Sequence, residues 1–446
     1  MNNFADHLKE ITNGKRVCIL GFGREGKSTY AMLNKYCSTS CTAVADLNII
    51  DREASGISDD VELICGNAYQ DCLNRFDIVF KSPGIVLNTP PSDLDCTVTS
   101  ETQVFFEVFR EQIIGITGTK GKSTVTSMIY HILKESGKDA YIAGNIGIPV
   151  FDIAEKIIND SIIVCELSCH QLEYMTVSPA TAIYLNLFEE HLDHYGTLEK
   201  YSNAKKNIYL HQKKHDTLLI NKDIAPTDSP AYVYTISDKD RSADIFVSDG
   251  RIYRPGEEYD IPTDNIKLLG VHNHYNIAAA HFITTSYVDE KQFTTALCTF
   301  CPLAHRLEYF GTFKGIRWYD DSISTACATA IEAVKSVPYA ATILIGGMDR
   351  GIDYTQLVDF LSQSDINVIC MEASGKRVFD MLLSNGAENE QRIHYVSHLP
   401  EAVKLASEIT PADRSCVLSP AAASYGIFKN FEERGDVFKS LVKELE

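Results

Sequence analysis

Apolar residues along the chain fall into short β-branched runs that alternate with longer amphipathic stretches of helical periodicity. Typical runs are RVCIL, SIIVC and ATILIGGM, and each is bounded by glycine, proline or polar residues. Runs of this length and composition predict strands, and the stretches between them predict helices. This alternation persists from end to end and therefore predicts an α/β protein with parallel sheets.

The pattern divides into three blocks. The first opens with RVCILGFGREGKSTYAML, which predicts a strand, a glycine turn and a helix, and it ends in LNTPPSDLDC, whose prolines and lack of periodicity predict a linker. The second begins with QIIGITGTKGKST, and the third begins near CPLAHRLEYF. We therefore predict three α/β domains, which span residues 1–97, 98–302 and 303–446.

The composition and net charge of the chain limit which partners and which cellular compartment are expected. The 446 residues suffice for three cores, and 45% hydrophobic with 23% charged residues is ordinary for a folded protein. A net charge of −19 argues against non-specific binding to nucleic acid or to an anionic membrane. No signal-peptide-like or membrane-spanning run is present, and thirteen scattered cysteines suggest free thiols in a reducing compartment. We expect a cytoplasmic protein without nucleic-acid or membrane partners.

A glycine-rich turn follows the first predicted strand. Gly21, Gly23 and Gly26 have the spacing of a dinucleotide-binding turn, in which backbone amides approach a phosphate at the positive end of a helix. Asp46, at the end of the second predicted strand, is placed to bind a ribose hydroxyl. By itself the motif predicts a site for NAD or another nucleotide diphosphate, and a turn that binds nothing is the alternative.

A second glycine-rich loop lies between the run IIGIT and a helix, which is the context of a P-loop. Lys122 is expected to reach the β- and γ-phosphates of ATP, and the Ser123 hydroxyl to help hold Mg²⁺. The spacing is unusual, because Ile116 stands where a glycine is common. The residues predicted to bind ATP are Gly118, Thr119, Lys120, Gly121, Lys122, Ser123 and Thr124.

Charged and imidazole side chains stand after two further predicted strands. Glu166 ends the run SIIVC, where a charge needs a partner, and His191 follows the run TAIYLNLF and two glutamates. Ligands of parallel sheets bind at the carboxyl ends of the strands. Glu166 and His191 are therefore predicted Mg²⁺ ligands in a nucleotide-phosphate site, with a solvated acidic loop as the alternative.

A series of segments in a fixed order resembles the Mur ligase family over essentially the whole chain. The segments are TGTKGKST, AGNIGIP, CELSCHQLE, LNLFEEHLDHYGTLEKYSNAK, GVHNHYNIAAA, AHRLEY, DDS, GGMDRG and LSPAAASYGIFKNFEERG. The resemblance implies a Rossmann-like N-terminal domain for UDP, a central P-loop ATPase-type domain and a C-terminal Rossmann-like domain for the incoming amino acid. The first block and the last segment look most like those of glutamate-adding members.

The resemblance also implies a role for individual residues. The substrate, UDP-N-acetylmuramoyl-L-alanine, would contact Gly21, Gly23, Gly26, Asp46, Ser82, Pro83, Gly84, Asn145 and Gln171. Adenine and ribose would contact Asn273, Arg306 and Asp321, with Asn276 a weaker candidate. The catalytic set would be Lys122, Glu166, His191 and Lys205.

Two further groups of residues follow from the resemblance. Lys205 matches a lysine that is carbamylated in the family, and it would support Mg²⁺ together with Ser123, Glu166 and His191. The glutamate would be held by Thr325, Arg350, Ser424 and the backbone near Phe431. The third domain would close over the second, because the ATP ligands come from both. We expect a monomer whose partners are small molecules.

The activity that the resemblance implies is ATP-dependent amide formation. The substrate carboxylate would attack the γ-phosphate, and the amine of glutamate would attack the resulting acyl phosphate. The segment Asp321–Ala326 reads DSISTA where glutamate-adding members usually read DSKATN, so Ile323 removes a cation beside the amino-acid pocket. D-glutamate is the expected substrate and L-glutamate the alternative. An oxidoreductase that uses the Gly21 turn, or a nucleotide-binding scaffold, would be a different class of protein.

Overall fold

The structure, a computed structural model, describes residues 3–37, 41–226, 228–385 and 390–445. It confirms an α/β protein with three sheets. Within these ranges the longer elements are connected by 3₁₀ helices, which span Leu73–Arg75, Pro91–Asp93, Arg110–Gln112, Val150–Lys156, Lys222–Ile224 and Glu390–Arg392.

The first sheet is fully parallel and has the strand order β3-β2-β1-β4-β5. The order reverses between β1 and β4, so the loops after these strands flank a crevice of the Rossmann type. Its strands are β1 (Val17–Leu20), β2 (Cys41–Asp46), β3 (Glu62–Cys65), β4 (Ile78–Lys81) and β5 (Thr97–Thr99). The helices of this region are α1 (Asn3–Thr12), α2 (Arg24–Tyr36) and α3 (Arg52–Ser55).

The second sheet has nine strands in the order β14-β13-β12-β11-β10-β9-β6-β8-β7. Pairing is parallel up to β12, and β12, β13 and β14 form an antiparallel meander. Its strands are β6 (Ile113–Thr117), β7 (Ala140–Gly144), β8 (Ile162–Glu166), β9 (Thr181–Tyr184), β10 (Thr217–Asn221), β11 (Tyr232–Ser237), β12 (Ile245–Ser248), β13 (Arg251–Arg254) and β14 (Glu257–Asp260). The helices are α4 (Glu101–Phe109), α5 (Lys122–Glu135), α6 (Cys169–Leu172), α7 (Leu192–Tyr195), α8 (Leu198–Lys206), α9 (His272–Thr284) and α10 (Glu290–Thr299).

The third sheet has the order β15-β16-β20-β17-β18-β19, in which only the β15–β16 pair is antiparallel. Its strands are β15 (Glu308–Phe313), β16 (Ile316–Asp320), β17 (Ala340–Gly346), β18 (Asn367–Met371), β19 (Ile393–Val396) and β20 (Ser415–Leu418). The helices are α11 (Cys327–Ser336), α12 (Thr355–Ser362), α13 (Glu372–Ser384), α14 (Leu399–Ile409) and α15 (Phe431–Lys443).

The chain forms two compact units, Met1–Pro262 with His274–Leu297, and Thr263–Asn273 with Cys298–Glu446. The first unit holds the first two sheets, because one apolar core runs through both of them. Phe4 of α1 contacts Phe151 at a ring-centre distance of 5.0 Å, and both belong to that core. The predicted domain ranges stay predictions, and the first sheet extends to Thr99 in β5. No helix in the described parts of the chain has the length and hydropathy of a membrane span.

Candidate functional site

The glycine turn of the first sheet lies at the crevice between β1 and β4. Gly21 has a φ of +90°, and a Cβ on Gly26 would lie 2.0 Å from the Gly21 carbonyl oxygen, so both positions require glycine. The Ser82 hydroxyl donates to that same carbonyl at 2.8 Å and joins the loop after β4 to the turn. Pro83 and Gly84 continue this loop, and Gly23 is the N-cap residue of α2.

Asp46 braces the turn from the end of β2. Its carboxylate accepts the backbone N–H of Phe22 at 2.6 Å and that of Asn48 at 2.8 Å. If Asp46 binds the ribose hydroxyl as predicted, it would do so with a carboxylate that also holds the backbone of the glycine turn in place. Nine residues are predicted to contact the UDP-linked substrate, and seven of them lie at or after the ends of β1, β2 and β4, which are adjacent in the sheet.

The other two predicted substrate residues are Asn145, which follows β7, and Gln171, which lies in α6. Each of them hydrogen-bonds a glutamate side chain. The Gln171 amide donates to Glu25 Oε1 in the first turn of α2 at 2.8 Å, and the Asn145 amide donates to Glu166 Oε1 at 2.7 Å. Arg24 donates to the Gly147 carbonyl at 2.9 Å. Loops of the first two sheets that are predicted to bind the substrate therefore touch within one unit.

The P-loop follows β6, which lies between β9 and β8. Asn186, in the loop after β9, fixes its conformation: its Oδ1 accepts the N–H groups of Thr119 at 3.0 Å and Lys120 at 2.8 Å, and its Nδ2 donates to the Lys120 carbonyl. Gly121 has a φ of +84°, and a Cβ there would lie 2.6 Å from Asn276 Oδ1. The sequence did not single out Asn186, which stands within the apolar run TAIYLNLF ahead of the glutamates and His191.

Two lysines converge on the P-loop backbone. Lys122 donates to the carbonyls of Gly118 at 2.9 Å and Thr119 at 3.0 Å, and Lys205 of α8 donates to the Gly118 carbonyl at 2.8 Å and to Thr117 Oγ1 at 3.3 Å. Burial lowers the pKa of Lys122. Burial, assisted by the neighbouring charge of Lys122, lowers the pKa of Lys205 to about 7.

Glu166 offers an unsatisfied carboxylate oxygen beside this loop. Its side chain is 1% exposed, and Oε2 has no hydrogen-bond partner among the described residues. His191 has a φ of +56° and its ring centre lies 5.1 Å from that of His170, while Ser123 and Thr124 lie in the first turn of α5. A carboxylate oxygen without a donor, a hydroxyl and an imidazole fit a divalent cation.

The second unit carries the remaining ATP candidates, Asn273, Arg306 and Asp321, and of these Asp321 directly follows β16. Asp321 Oδ2 accepts the Ser419 hydroxyl at 2.7 Å, its Oδ1 accepts the Leu307 N–H at 3.2 Å, and burial raises its pKa to about 7. Arg306 Nε is buried without a partner in the described structure. Asn273 donates to the Leu269 carbonyl at 2.6 Å in the same unit. The predicted ATP residues are thus divided between the two units.

The glutamate candidates follow three adjacent strands of the third sheet. Thr325 follows β16, Arg350 follows β17 and Ser424 follows β20, and of these only Ser424 is buried. Phe431 is the first residue of α15, so its backbone N–H is one of those that have no acceptor within the helix. Its carbonyl accepts the Ser322 hydroxyl at 2.8 Å. These loops present exposed side chains and a helix N-terminus, which suits an anionic ligand.

Arg434 is a structural residue of this site that the sequence did not reveal. It is fully buried, donates to the carbonyls of Ser322 at 2.7 Å and Ala422 at 3.0 Å, and burial lowers its pKa to about 10. It therefore ties the segment after β16 to the segment after β20. In the sequence Arg434 stands in the charged run EER, which suggests a solvated helix face.

Comparison with known proteins gives full-length relatives. The profile of the Mur ligase middle domain matches residues 116–284. A UDP-N-acetylmuramoylalanine–D-glutamate ligase of Acetivibrio thermocellus is 31% identical over the whole of both chains. The enzyme of the same name from Symbiobacterium thermophilum is 30% identical, with 97% of this chain and 98% of that one aligned.

Solved structures share the fold at much lower identity. A UDP-N-acetylmuramate–alanine ligase from Thermotoga maritima superposes with a TM-score of 0.61 at 18% identity, covering 97% of this chain and all of that chain. A MurF ligase from the same organism, in complex with ADP, gives 0.61 at 15% identity, with 98% and 97% covered. These two structures support the three-sheet architecture.

Proposed function

The chain belongs to the Mur ligase family, and we propose that it joins D-glutamate to UDP-N-acetylmuramoyl-L-alanine at the expense of ATP. The relatives that match over the full length carry this activity in their names. The observation that carries the proposal is the pairing, in one unit, of a glycine turn with a P-loop that has Lys122, Lys205 and an unsatisfied Glu166 oxygen. The product would be a cytoplasmic precursor of peptidoglycan, and thus of the cell wall and of cell shape and division.

The first unit would hold the two anionic substrates. The uridine diphosphate group would lie on the turn of Gly21, Gly23 and Gly26 and on the loop Ser82–Gly84, and Asn145 and Gln171 would contact the muramoyl part. The N-terminus of α2 supplies backbone N–H groups for phosphate, which a carbonyl-lined loop could not. The triphosphate would replace the loop carbonyls that Lys122 now contacts, since a phosphate oxygen is the stronger acceptor.

The metal site would use the groups around the P-loop. Ser123, Glu166, His191 and a carbamylated Lys205 would hold Mg²⁺, and the orphaned Glu166 oxygen is the observation that fits a cation. When bound, Mg²⁺ would offset the charge of the phosphates.

Carbamylation of Lys205 is supported by its surroundings. Only an unprotonated amine adds CO₂, and a pKa of about 7 leaves a substantial fraction of Lys205 unprotonated at neutral pH. The ammonium form is opposed by burial and by Lys122, whereas a carbamate would bring a negative charge to Lys122. The modification would therefore relieve the like-charge contact beneath the P-loop.

The reaction would proceed in two steps. The alanine carboxylate of the substrate attacks the γ-phosphorus, the bond from that phosphorus to the bridging oxygen of ADP breaks, and an acyl phosphate forms. The amine of glutamate then attacks the acyl carbon, a tetrahedral intermediate collapses, and phosphate leaves. Lys122 would stabilise charge on the transferred phosphoryl group.

The second unit would supply the glutamate site and the nucleoside contacts. Thr325, Arg350, Ser424 and the N-terminus of α15 at Phe431 would hold the glutamate carboxylates, while Asn273, Arg306 and Asp321 would contact adenine and ribose. Twelve described cysteines are free thiols, which supports a reducing compartment. We propose a monomer, since each unit carries its own part of the site on this chain.

One residue favours a second candidate, ligation of L-glutamate. Ile323 stands where a lysine is usual, and its backbone N–H donates to the His305 carbonyl at 3.2 Å, so it is fixed beside Asp321 and Ser322. An apolar side chain there removes a cation that would select the position of a carboxylate. The D-isomer stays the main proposal because of the full-length relatives.

The proposal is tested by ADP release with UDP-N-acetylmuramoyl-L-alanine, ATP and Mg²⁺, and with D- or L-glutamate in parallel. We expect turnover with D-glutamate, and none without an amino acid or with the Lys122→Ala variant. Turnover with L-glutamate alone would make Ile323 part of the stereochemical selection. Absence of turnover with either isomer would contradict the proposed activity.

A further inference from the structure

Lys81 is a buried cation that has no part in the site described so far. It ends β4 directly before the Ser82–Gly84 loop and is 5% exposed. Its ammonium group donates to the carbonyls of Ser82 at 3.3 Å and Pro83 at 3.2 Å, and it lies 5.5 Å from the centre of the Tyr174 ring. These contacts are long for an ammonium, and they leave one of its three donors unused.

The charge of Lys81 lacks a direct counter-ion. No carboxylate in the described residues forms an ion pair with it, although Glu173 and Glu25 lie near enough to attract it. Burial lowers its pKa, and those two carboxylates act against this effect. A buried ammonium held only by carbonyls and distant charges is unfavourable, so an anion at contact distance would stabilise it.

The position of Lys81 indicates which anion this is. Lys81 lines a small pocket together with Pro83 of the loop after β4 and with His170 and Gln171 of α6. One side of the pocket adjoins the glycine turn, because Ser82, the residue before Pro83, donates a hydrogen bond to the Gly21 carbonyl. The other side adjoins α6, where the proposed muramoyl contact Gln171 lies. An extended substrate that joins these two sides passes Lys81 where the diphosphate meets the sugar.

We propose that Lys81 is a substrate-binding residue that contacts the sugar-linked phosphate of the UDP-linked substrate. The inference rests on the proposed function and adds a specificity contact to it. The alanine carboxylate, the other anion of the substrate, must reach the γ-phosphate at the P-loop and is therefore at the opposite end. A phosphate oxygen at Lys81 would take the unused donor and replace weak carbonyl contacts with a charge-assisted hydrogen bond.

The test uses full-length protein with Lys81→Met, which keeps the length of the side chain and removes its charge. Three quantities are compared with wild type: KM for the UDP-linked substrate, Ki of UDP and Ki of UMP, both as competitive inhibitors. UDP carries the phosphate that becomes sugar-linked, and UMP lacks it. Lys81→Gln, whose amide still donates to the two carbonyls, serves as a second variant if Lys81→Met does not fold. Lys9→Met is the matched control, because Lys9 is exposed and lies 5.8 Å from the centre of the Tyr36 ring.

We expect KM and the Ki of UDP to rise about tenfold or more in Lys81→Met, since a hydrogen bond to a charged group contributes about 1.5–3 kcal/mol. The Ki of UMP should change less than about twofold, and kcat should change little. Equal increases for UDP and UMP, or no increase for either, would overturn the inference. Wild type run in parallel separates the two ideas: without glutamate-dependent ADP release the proposed function fails, whereas normal turnover with an unchanged Ki of UDP removes only the role of Lys81.

Discussion

Two regions of the first unit bury a lysine to nearly the same extent but differ in the sign of the charge that acts most strongly on it. Beneath the P-loop, Lys205 is 1% exposed, and Lys122 acts on it more strongly than the carboxylates of Glu190 and Glu166 do. At the junction of the glycine turn with α6, Lys81 is 5% exposed and faces Glu173 and Glu25. Desolvation acts against the charge of both lysines, and the sign of the neighbours decides whether it is reinforced or opposed.

Burial alone therefore does not assign a role to a lysine. A like charge beside Lys205 favours its neutral amine, which suits reaction with CO₂. Opposite charges beside Lys81 favour its ammonium, which suits an anionic ligand. The two lysines therefore predict different chemistry from the same residue type, and each prediction below changes one side of this contrast.

The largest effect is expected at Lys205. Lys205→Met keeps the packing of α8 but removes the group that would become a carbamate, so kcat should fall about 10²–10³-fold, as when an active-site electrostatic contact is removed. The control is Lys206→Met, because Lys206 is the next residue and its ammonium donates to exposed Asn203 Oδ1 at 3.3 Å. The rate of ADP release is measured for both variants. Equal rates would show that Lys205 has no catalytic role.

The next effect concerns CO₂. Wild-type enzyme in buffer freed of CO₂ should lose most of its activity, and added bicarbonate should restore it, since an unprotonated Lys205 amine reacts reversibly with CO₂. The Lys81→Met variant should show the same dependence, because the carbamate is expected on Lys205 and not on Lys81. A ¹³C carbamate signal from labelled bicarbonate that persists in Lys205→Met would contradict carbamylation of Lys205. Activity that does not depend on CO₂ would contradict it as well.

A third, smaller effect is a change in stability with pH at Glu25. Burial raises the pKa of Glu25 from its usual 4.5 to about 7, so the folded state binds this proton more tightly than the unfolded state. The stability that comes from this proton is full below about pH 4.5 and is lost as pH rises through about 7. Glu25→Gln keeps the acceptor for Gln171 and should reduce the fall in Tm between pH 6 and pH 8.

Thermal unfolding at the two pH values checks this expectation. Glu135→Gln, at an exposed position on α5, is the control and should show the same fall in Tm as wild type. A Glu25→Gln variant whose Tm falls as steeply as that of wild type would mean that Glu25 is ionised in the folded protein. In that case Lys81 would have a full counter-ion nearby and less need of a ligand.

The smallest effect is expected at Lys120, a third lysine of the same region. Its side chain is 59% exposed and pairs with Glu190 at 2.7 Å. An exposed ion pair of this kind contributes roughly 0–1 kcal/mol, so Lys120→Asn should change kcat/KM for ATP less than about threefold. A larger loss would show that Lys120 binds the nucleotide directly through its side chain, as the other P-loop lysine is expected to do.

The sequence predicted best where function lies in adjacent residues. The P-loop and the Gly21 turn are contiguous, and their place between a strand and a helix is visible in the hydrophobic pattern. Lys205 was assigned only by resemblance, because the periodicity of α8 is equally consistent with a solvated lysine. Lys205 lies on the same buried face of α8 as Tyr201 and Ala204. Which face of a helix packs against the rest of the unit cannot be predicted from the sequence of that helix alone.

Residues that act through distant partners were missed. Asn186 contacts the P-loop across 66 residues of chain, and Arg434 contacts Ser322 across 112. Both stand inside segments that resemble the family, but nothing in those segments distinguishes either residue from its neighbours, and the charged run around Arg434 favours a solvated face. Lys81 had one available signal, a charge that ends the otherwise apolar strand IVFK directly before the sequence Ser-Pro-Gly. The same argument from an apolar strand had identified Glu166.

The most direct test of the proposed reaction follows an oxygen atom. UDP-N-acetylmuramoyl-L-alanine labelled with ¹⁸O in the alanine carboxylate is incubated with wild-type enzyme, ATP, Mg²⁺ and D-glutamate, and the released phosphate is analysed by mass spectrometry. Attack of the carboxylate on the γ-phosphate predicts one labelled oxygen in the phosphate for each amide formed. Unlabelled phosphate accompanying ADP release would mean that water, not the substrate carboxylate, receives the phosphoryl group, and it would contradict the ligase mechanism.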